Sequence, residues 1–213
     1  KPKAIVIGSS AGGVEALRAV LSPLPTDFAP TILVVQHLHC TDDGVLAQQL
    51  DRIIPLPVVE PYDKQPLNGG HVYTAPANYH MQVEQEEIIS FSVDAKVNCS
   101  RPSIDVLFKS AVRVWTKDLV GVVLSGGNDD GTQGLHAVKA AGGWTIAQNP
   151  DSALAPFMPR SAIEAGAANE TLLPERIGHR LLELRGADPS MNTPHLGHLP
   201  SKTSRSREKH ERT

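Results

Sequence analysis

Short, unbroken apolar runs alternate along this chain with stretches whose apolar residues return at helical spacing. Ala4-Ile5-Val6-Ile7 is such a run; it stops at Gly8 and is followed by Val14, Leu17, Val20 and Leu21, which share one helical face. The pattern predicts a strand, a tight turn and a helix. Thr31-Ile32-Leu33-Val34-Val35 is a second run, followed by a polar loop and a helix through Val45, Leu46 and Leu50. A third strand is predicted over 119–124, then a loop from Gly126 to Gly131 and a helix through Leu135, Val138 and Ala141, with a fourth strand over 144–147. Strands without polar alternation are buried on both faces, as in parallel sheets. The repetition predicts an α/β fold: a doubly wound, mostly parallel sheet with helices on both faces, in three layers.

The middle of the chain reads differently. Short β-prone runs at 58–61, 70–75, 81–83 and 88–93 are separated by turn residues such as Asp63, Asn68-Gly69-Gly70 and Pro76-Ala77-Asn78. They predict hairpin or edge-strand decoration of the main sheet. Ser103 opens a predicted helix, with Asp105 in its first turn and Val106, Leu107 and Val112 as its apolar side. From about residue 186 apolar residues thin out and Ser, Pro, His and Arg take over, a composition that buries too little surface to offset the entropy of ordering. The expected division is therefore a folded domain over 1–185 and a flexible basic tail over 186–213. That tail reads as solvated rather than as a docking segment.

Composition narrows the function classes. The chain has 213 residues, 40% hydrophobic and 20% charged, which suits one globular domain. Its formal net charge is −3, but residues 201–213 carry Lys202, Arg205, Arg207, Lys209 and Arg212 against Glu208 and Glu211, a net +3, which leaves −6 for the rest. An acidic body with 4% aromatic residues lacks both the basic footprint and the stacking rings of a nucleic-acid binder. No apolar run approaches the roughly 18 residues of a membrane span, and the start lacks the apolar stretch of a signal peptide. The expectation is a cytoplasmic protein with no membrane insertion. Cys40 and Cys99 form no CxxC pair and read as reduced thiols.

In doubly wound sheets ligands bind beyond the carboxyl ends of the strands. Here those ends offer Gly8-Ser9-Ser10-Ala11-Gly12-Gly13, then Gln36-His37-Leu38-His39-Cys40, then Ser125-Gly126-Gly127-Asn128-Asp129-Asp130-Gly131. Gly8, Ser10 and Gly12 match G-x-S-x-G where a strand turns sharply into a helix, which exposes a hydroxyl beside helix N–H groups. Three readings of that loop stand together: a nucleophile, a phosphate-binding turn, and a simple helix cap. A dinucleotide site asks for G-x-G-x-x-G and an acid after the second strand, whereas this chain has Ser10 at the second glycine and Gln36-His37 at the strand end. His37 taken alone reads equally as a structural histidine, and Asp129 and Asp130 as turn or capping residues. His37, His39 and Cys40 do not have zinc-site spacing, and no second ligand cluster accompanies them; no metal or other cofactor is expected. What changes the balance is the conjunction: a serine needs a base, the base needs an orienting carboxylate, and the three strand ends supply Ser10, His37 and Asp130.

Several blocks together resemble the catalytic domain of the bacterial chemotaxis protein-glutamate methylesterases, the CheB family. They are Ile7-Gly8-Ser9-Ser10-Ala11-Gly12-Gly13, Val35-Gln36-His37, Gly70-His71-Val72-Tyr73-Thr74-Ala75-Pro76, His80-Met81, Arg101-Pro102-Ser103-Ile104-Asp105-Val106-Leu107-Phe108, Asp130-Gly131, Ala147-Gln148-Asn149 and Met158-Pro159-Arg160. They run in family order from about residue 3 to 184, and it is the set that is specific. The resemblance implies hydrolysis of glutamyl methyl esters on the cytoplasmic helices of methyl-accepting chemotaxis receptors, with release of methanol, and deamidation of receptor glutamines as a companion activity. It places the nucleophile on Ser10, the general base on His37 and the orienting acid on Asp130. Oxyanion donors are expected in the Ser10 to Gly12 turn or near Gly127.

The chain also departs from the family pattern. Ala11 stands where many members have threonine, and Gly127-Asn128 replaces a commoner Met-Gly or Thr-Gly pair, which bears on pocket shape and not on the triad. Arg101 reads either as a contact for acidic receptor residues or as a structural arginine, and His80 and Met81 as structural or pocket-lining. The best-known members carry an N-terminal phosphorylatable receiver, whereas this sequence opens on the first catalytic strand, so control by an attached receiver is not expected from these residues. Two other classes remain beside the hydrolase: a catalytically silent domain that binds receptor arrays, and a small-molecule esterase or nucleotide binder.

Overall fold

The computed structural model describes residues 1–37 and 44–186. In chain order the elements are β1 (Ala4–Ser9), α1 (Gly13–Leu21), β2 (Thr31–Gln36), α2 (Val45–Asp51), β3 (Val58–Val59), β4 (Val72–Thr74), β5 (His80–Glu84) and β6 (Ile88–Ser92). They continue with α3 (Ile104–Trp115), β7 (Leu119–Val123), α4 (Thr132–Ala140), β8 (Trp144–Gln148), α5 (Phe157–Glu164), β9 (Glu170–Leu172) and α6 (Pro174–Gly186). Seven strands form one parallel sheet in the order β3-β4-β2-β1-β7-β8-β9, and β5 and β6 pair separately as an antiparallel hairpin.

Alternation along the strands explains why both faces are covered. Ile5 and Ile7 of β1 enter one core with Leu17, Val20 and Leu21 of α1 and Leu181 of α6; Ala4 and Val6 enter another with Leu107 and Phe108 of α3 and Leu135 of α4. All six residues of β1 and all six of β2 are buried. This is the predicted doubly wound sheet in three layers.

The run at 58 is an edge strand, as expected, whereas the run at 72 corrects the expectation of hairpin or edge decoration. Val58–Val59 and Val72–Thr74 are parallel members of the main sheet, with β4 lying inside it between β3 and β2. Three residues between turns are too few to display two-sided burial in a sequence pattern, although Val72, Tyr73 and Thr74 are all buried. The hairpin is formed instead by the runs at 81 and 88. The buried side of α3 also differs: Ile104, Leu107, Phe108, Ala111 and Trp115 face inward, while Val106 and Val112 are half-buried. Neither α5, β9 nor α6 is anticipated by the sequence pattern. α6 opens on Pro174, whose missing N–H costs nothing at a helix start, and buries Ile177 and Leu181.

The topology also fixes where a site can form. From β1 the chain runs outward through β2 to β4 and β3, then returns to β7 on the other side of β1. That reversal leaves a crevice at the carboxyl ends of β1 and β7.

Candidate active site

The parallel register of β1 and β2 pairs Ser9 with Gln36, so the residues that follow, Ser10 and His37, leave adjacent strand ends side by side. The turn after β1 is drawn tight by Gly12, at φ 74° in the left-handed region, and by Gly13, where a Cβ would collide with the Gln36 carboxamide. Gln36 is buried and ties the two strand ends together. Ser9 Oγ donates to its Oε1 at 2.7 Å, and its Nε2 donates to the Ser10 carbonyl at 2.8 Å and the His37 carbonyl at 3.0 Å.

The Ser10 main chain is otherwise spoken for. Its N–H donates to the Ser125 carbonyl and its carbonyl also accepts the Gly13 N–H, both at 2.8 Å. Ser125, at the end of β7, donates its hydroxyl to the Ala11 carbonyl at 2.6 Å and accepts the Ala155 N–H at 2.9 Å. Gly126 gives its N–H to the Ala155 carbonyl. Among the described residues neither Ala11 nor Gly12 gives its N–H to a protein acceptor, and Ser10 Oγ makes no hydrogen bond. Both free N–H groups stand at the N-terminus of α1, where the helix dipole is positive.

His37 is held by Asp130. Its Nε2 lies 2.9 Å from Asp130 Oδ2, with the imidazole 13% exposed and the carboxylate fully buried. Burial pushes the Asp130 carboxyl up, but His37, the Ile104 N–H at 2.7 Å, the Asn98 amide at 3.1 Å and the Asp105 N–H at 3.2 Å more than offset it; the Ser103 hydroxyl donates to the same carboxylate at 2.9 Å. The net shift is downward, so Asp130 is a carboxylate at neutral pH. An ionised Asp130 accepts, so His37 Nε2 carries the hydrogen and Nδ1 keeps a lone pair. The Ser100 hydroxyl faces that lone pair at 3.4 Å.

Ser10, His37 and Asp130 thus stand on the loops that follow β1, β2 and β7, with a direct bond between the last two. Leu38, His39 and Cys40, the remainder of the second loop, lie outside the described residues. Arg101 Nη1 donates to the carbonyls of Val93 at 2.7 Å and Asp94 at 2.9 Å, a structural engagement. His80 is buried; its Nδ1 accepts the Ser103 N–H and its Nε2 faces the Ala95 carbonyl. Met81 is fully buried in the core.

Sequence reasoning missed Asn98, Ser100 and the contacts of Ser103 and Asp105 with the acidic loop. Ser103 caps α3 as predicted, accepting the Val106 N–H, yet the same hydroxyl donates to Asp130. Nothing in the spacing of Asn98 or Ser100 points to Asp130 or His37; a turn formed by tertiary packing brings Asn98 to the one and Ser100 to the other.

The sequence model of the family described as CheB methylesterase matches residues 5–181. A relative from Leptospira interrogans named putative protein-glutamate methylesterase/protein-glutamine glutaminase is 43% identical over 182 residues, covering 85% of this chain and 94% of that one. One from Symbiobacterium thermophilum, named protein-glutamate methylesterase/protein-glutamine glutaminase, is 40% identical over 168 residues, covering 79% and 46%. The crystal structure of the Thermotoga maritima CheB methylesterase catalytic domain is similar with a TM-score of 0.82 and 34% identity, over 86% of this chain and 99% of that one. The chain belongs to the CheB methylesterase family.

Proposed function

We propose that residues 1–185 form a protein-glutamate methylesterase unit that hydrolyses glutamyl methyl esters on the cytoplasmic helices of chemoreceptors. Ser10 is its nucleophile, His37 its general base and Asp130 its orienting acid. The observation that carries this reading is the buried, five-donor Asp130 carboxylate bonded to His37, whose neighbour across the β1–β2 pair is Ser10. Capping the start of α3 accounts for the N–H groups that Asp130 accepts, but not for its bond to the His37 imidazole.

The chemistry is acyl transfer. Ser10 Oγ bonds to the ester carbonyl carbon while its proton passes to His37, and the carbonyl oxygen becomes an oxyanion. Since Nε2 is engaged by Asp130, Nδ1 is the nitrogen left to take the proton. Among the described residues the N–H groups of Ala11, Gly12 and Gly127 have no protein acceptor, and the first two, at the start of α1 beside Ser10, are the donors this reading assigns to the oxyanion. Collapse breaks the bond to the methoxy oxygen, which takes the proton from His37 and leaves as methanol. Water then attacks the glutamyl-enzyme, giving one proton to His37, which passes it to Ser10 as the acyl bond breaks, and the released carboxylic acid gives its remaining proton to solvent. With a glutamine substrate the same steps release ammonia, in keeping with the double names of the relatives.

Methanol release from a methylated receptor, measured for the parent and for Ser10→Ala, tests this reading. The parent is expected to release methanol and the variant to lose nearly all release. Equal release from both would remove Ser10 from its role. A parent that binds receptor helices yet releases neither methanol nor ammonia would instead be a silent array-binding domain.

A further inference from the structure

A dense polar construction lies behind Asp130, apart from the groups given chemical roles above. Asn98 is the first of two left-handed residues, with φ 49° followed by 61° at Cys99, in a turn closed by reciprocal main-chain bonds between Val97 and Ser100. Positive φ at both central positions is a type I′ feature, and asparagine suits the first of them. The turn carries the Asn98 carboxamide between two carboxylates. Its Nδ2 has two hydrogens and meets two acceptors, Asp130 Oδ1 and Asp105 Oδ2, each at 3.1 Å.

The two carboxylates are placed reciprocally. Asp130, in the loop leading into α4, accepts the Ile104 and Asp105 N–H groups at the start of α3. Asp105, in the first turn of α3, accepts the Gly131 N–H at 3.0 Å and the Gly134 N–H at 2.6 Å at the start of α4. Each helix start thus receives a carboxylate from its neighbour; at α3 this adds to the Ser103 cap, and at α4 it replaces the cap that Gly131, with no side chain, cannot supply. Close carboxylates disfavour one another's charge; burial first, and then the Asp130 charge, push the Asp105 carboxyl up against the hydrogen bond from Gly134. A cation between them would quench the negative charge that Asp130 presents to His37. A neutral amide with one hydrogen for each carboxylate satisfies both and leaves the charge in place.

We infer that Asn98 and Asp105 are positioning residues for Asp130: the Asn98 amide clamps the two carboxylates, and with them the starts of α3 and α4, so that Oδ2 is presented to His37 in a fixed direction and with a fixed charge. The inference rests on the proposed roles of His37 and Asp130. Among the described residues, the charged and titratable groups around the clamp are His37 after β2, Asp105 and, one turn on, Lys109 in α3, His80 in β5, Cys99 in the same turn and Asp129 beside Asp130.

The test follows methanol release from a methylated receptor against pH for the parent, Asn98→Gly, Asn98→Asp and Asp105→Asn. Glycine accepts the left-handed turn and removes only the amide. Its kcat is expected to fall about 10-fold with KM unchanged, since small misplacement of a catalytic group is felt in the chemical step. The acid limb of kcat/KM moves to higher pH, because Asp130 loses a donor and draws more strongly on the imidazolium. Aspartate also tolerates the left-handed region but turns a third carboxylate on the other two, so Asn98→Asp is expected to fall further than Asn98→Gly. A residue wanted only for its turn would leave both variants close to the parent, since glycine and aspartate both accept that turn. Asp105→Asn keeps an oxygen for Gly131 and Gly134 while removing one negative charge, so its acid limb moves to lower pH.

Opposite displacements of the acid limb are a signature that loss of stability does not produce. NMR titration of the His37 imidazole reads the same displacements without turnover. Unchanged kcat and acid limb in Asn98→Gly, or parental activity in Asn98→Asp, would overturn the inference. A parent that releases no methanol overturns the underlying assignment, and the inference falls with it.

Discussion

Gln36 Nε2 donates to the Ser10 carbonyl from the neighbouring strand at 2.8 Å, and that one bond also governs the residue after Ser10. A trans peptide is planar, so the Ser10 carbonyl and the Ala11 N–H point in opposite directions from the same plane. With the carbonyl held by Gln36 and by the Gly13 N–H, the Ala11 N–H is aimed away from the interior and cannot flip without breaking both bonds. Replacing Gln36 with leucine leaves the buried Ser9 hydroxyl without its acceptor, at a cost of about 1–3 kcal/mol. The expected outcome for Gln36→Leu is a lower unfolding midpoint in urea together with reduced kcat. Adding Ser9→Ala is expected to recover part of the stability and none of the rate, since it removes the orphaned hydroxyl and does not restore the bond to Ser10.

Asp130→Asn changes the tautomer of the base. The carboxylate accepts from His37 Nε2; an amide nitrogen in its place donates, so the imidazole hydrogen is driven to Nδ1, the nitrogen that must take the serine proton. By analogy with tautomer inversion in serine proteases, kcat is expected to fall on the order of 10³–10⁴-fold with KM little changed. Steady-state kinetics at neutral pH, with NMR of the imidazole nitrogens to report the tautomer, checks both halves of the statement.

Stability against pH separates the two buried carboxylates. Asp130 is held below its ordinary value of 3.8, with burial opposing and the bonds from His37 and the α3 N–H groups prevailing. Its contribution is therefore complete above the unfolded-state value and is lost as pH falls through the folded one. Asp105 is shifted the other way, by burial above all, so its ionisation costs stability once pH rises past the unfolded-state value. Urea unfolding at a series of pH values is expected to show the parent's advantage over Asp130→Asn growing as pH climbs through the acid range and then levelling. Its advantage over Asp105→Asn shrinks over the window just above the ordinary carboxylate value.

How much of this is legible in the sequence depends on the range over which each contact is set. β1, β2 and β7 are five or six residues long and built on apolar runs with no polar alternation, which announces two-sided burial. β4 and β9 are three residues each and signal nothing by pattern, since three residues hold little more than one alternation. Ser10, His37 and Asp130 stand at the ends of legible strands, and the parallel register accounts for Ser10 and His37 lying together. Asn98 has no such anchor. Its amide reaches Asp130 because a turn before α3 folds over the acidic loop, a tertiary contact with no local spacing. Asp105 is visible in the first turn of α3, but a carboxylate there is ordinarily explained by its own helix dipole, and that local explanation hides its service to α4.

Ser125 does for Gly12 what Gln36 does for Ala11. Its hydroxyl holds the Ala11 carbonyl at 2.6 Å, and the N–H on the far side of that same peptide belongs to Gly12, so the bond sets the direction of the second free N–H. Ser125→Ala removes this tie and also orphans the Ala155 N–H, which donates to the same oxygen at 2.9 Å. If Ala11 and Gly12 hold the oxyanion, loosening Gly12 weakens binding of the tetrahedral intermediate more than of the ester. The expected result is a fall in kcat of about 10²-fold with KM within a factor of about two, the pattern of a donor used only in the transition state. Combined with Gln36→Leu, the loss should exceed either alone, because the two side chains hold different peptides. A Ser125→Ala variant with full kcat and a lowered unfolding midpoint would confine Ser125 to bracing the β7 loop and move the oxyanion site away from Gly12.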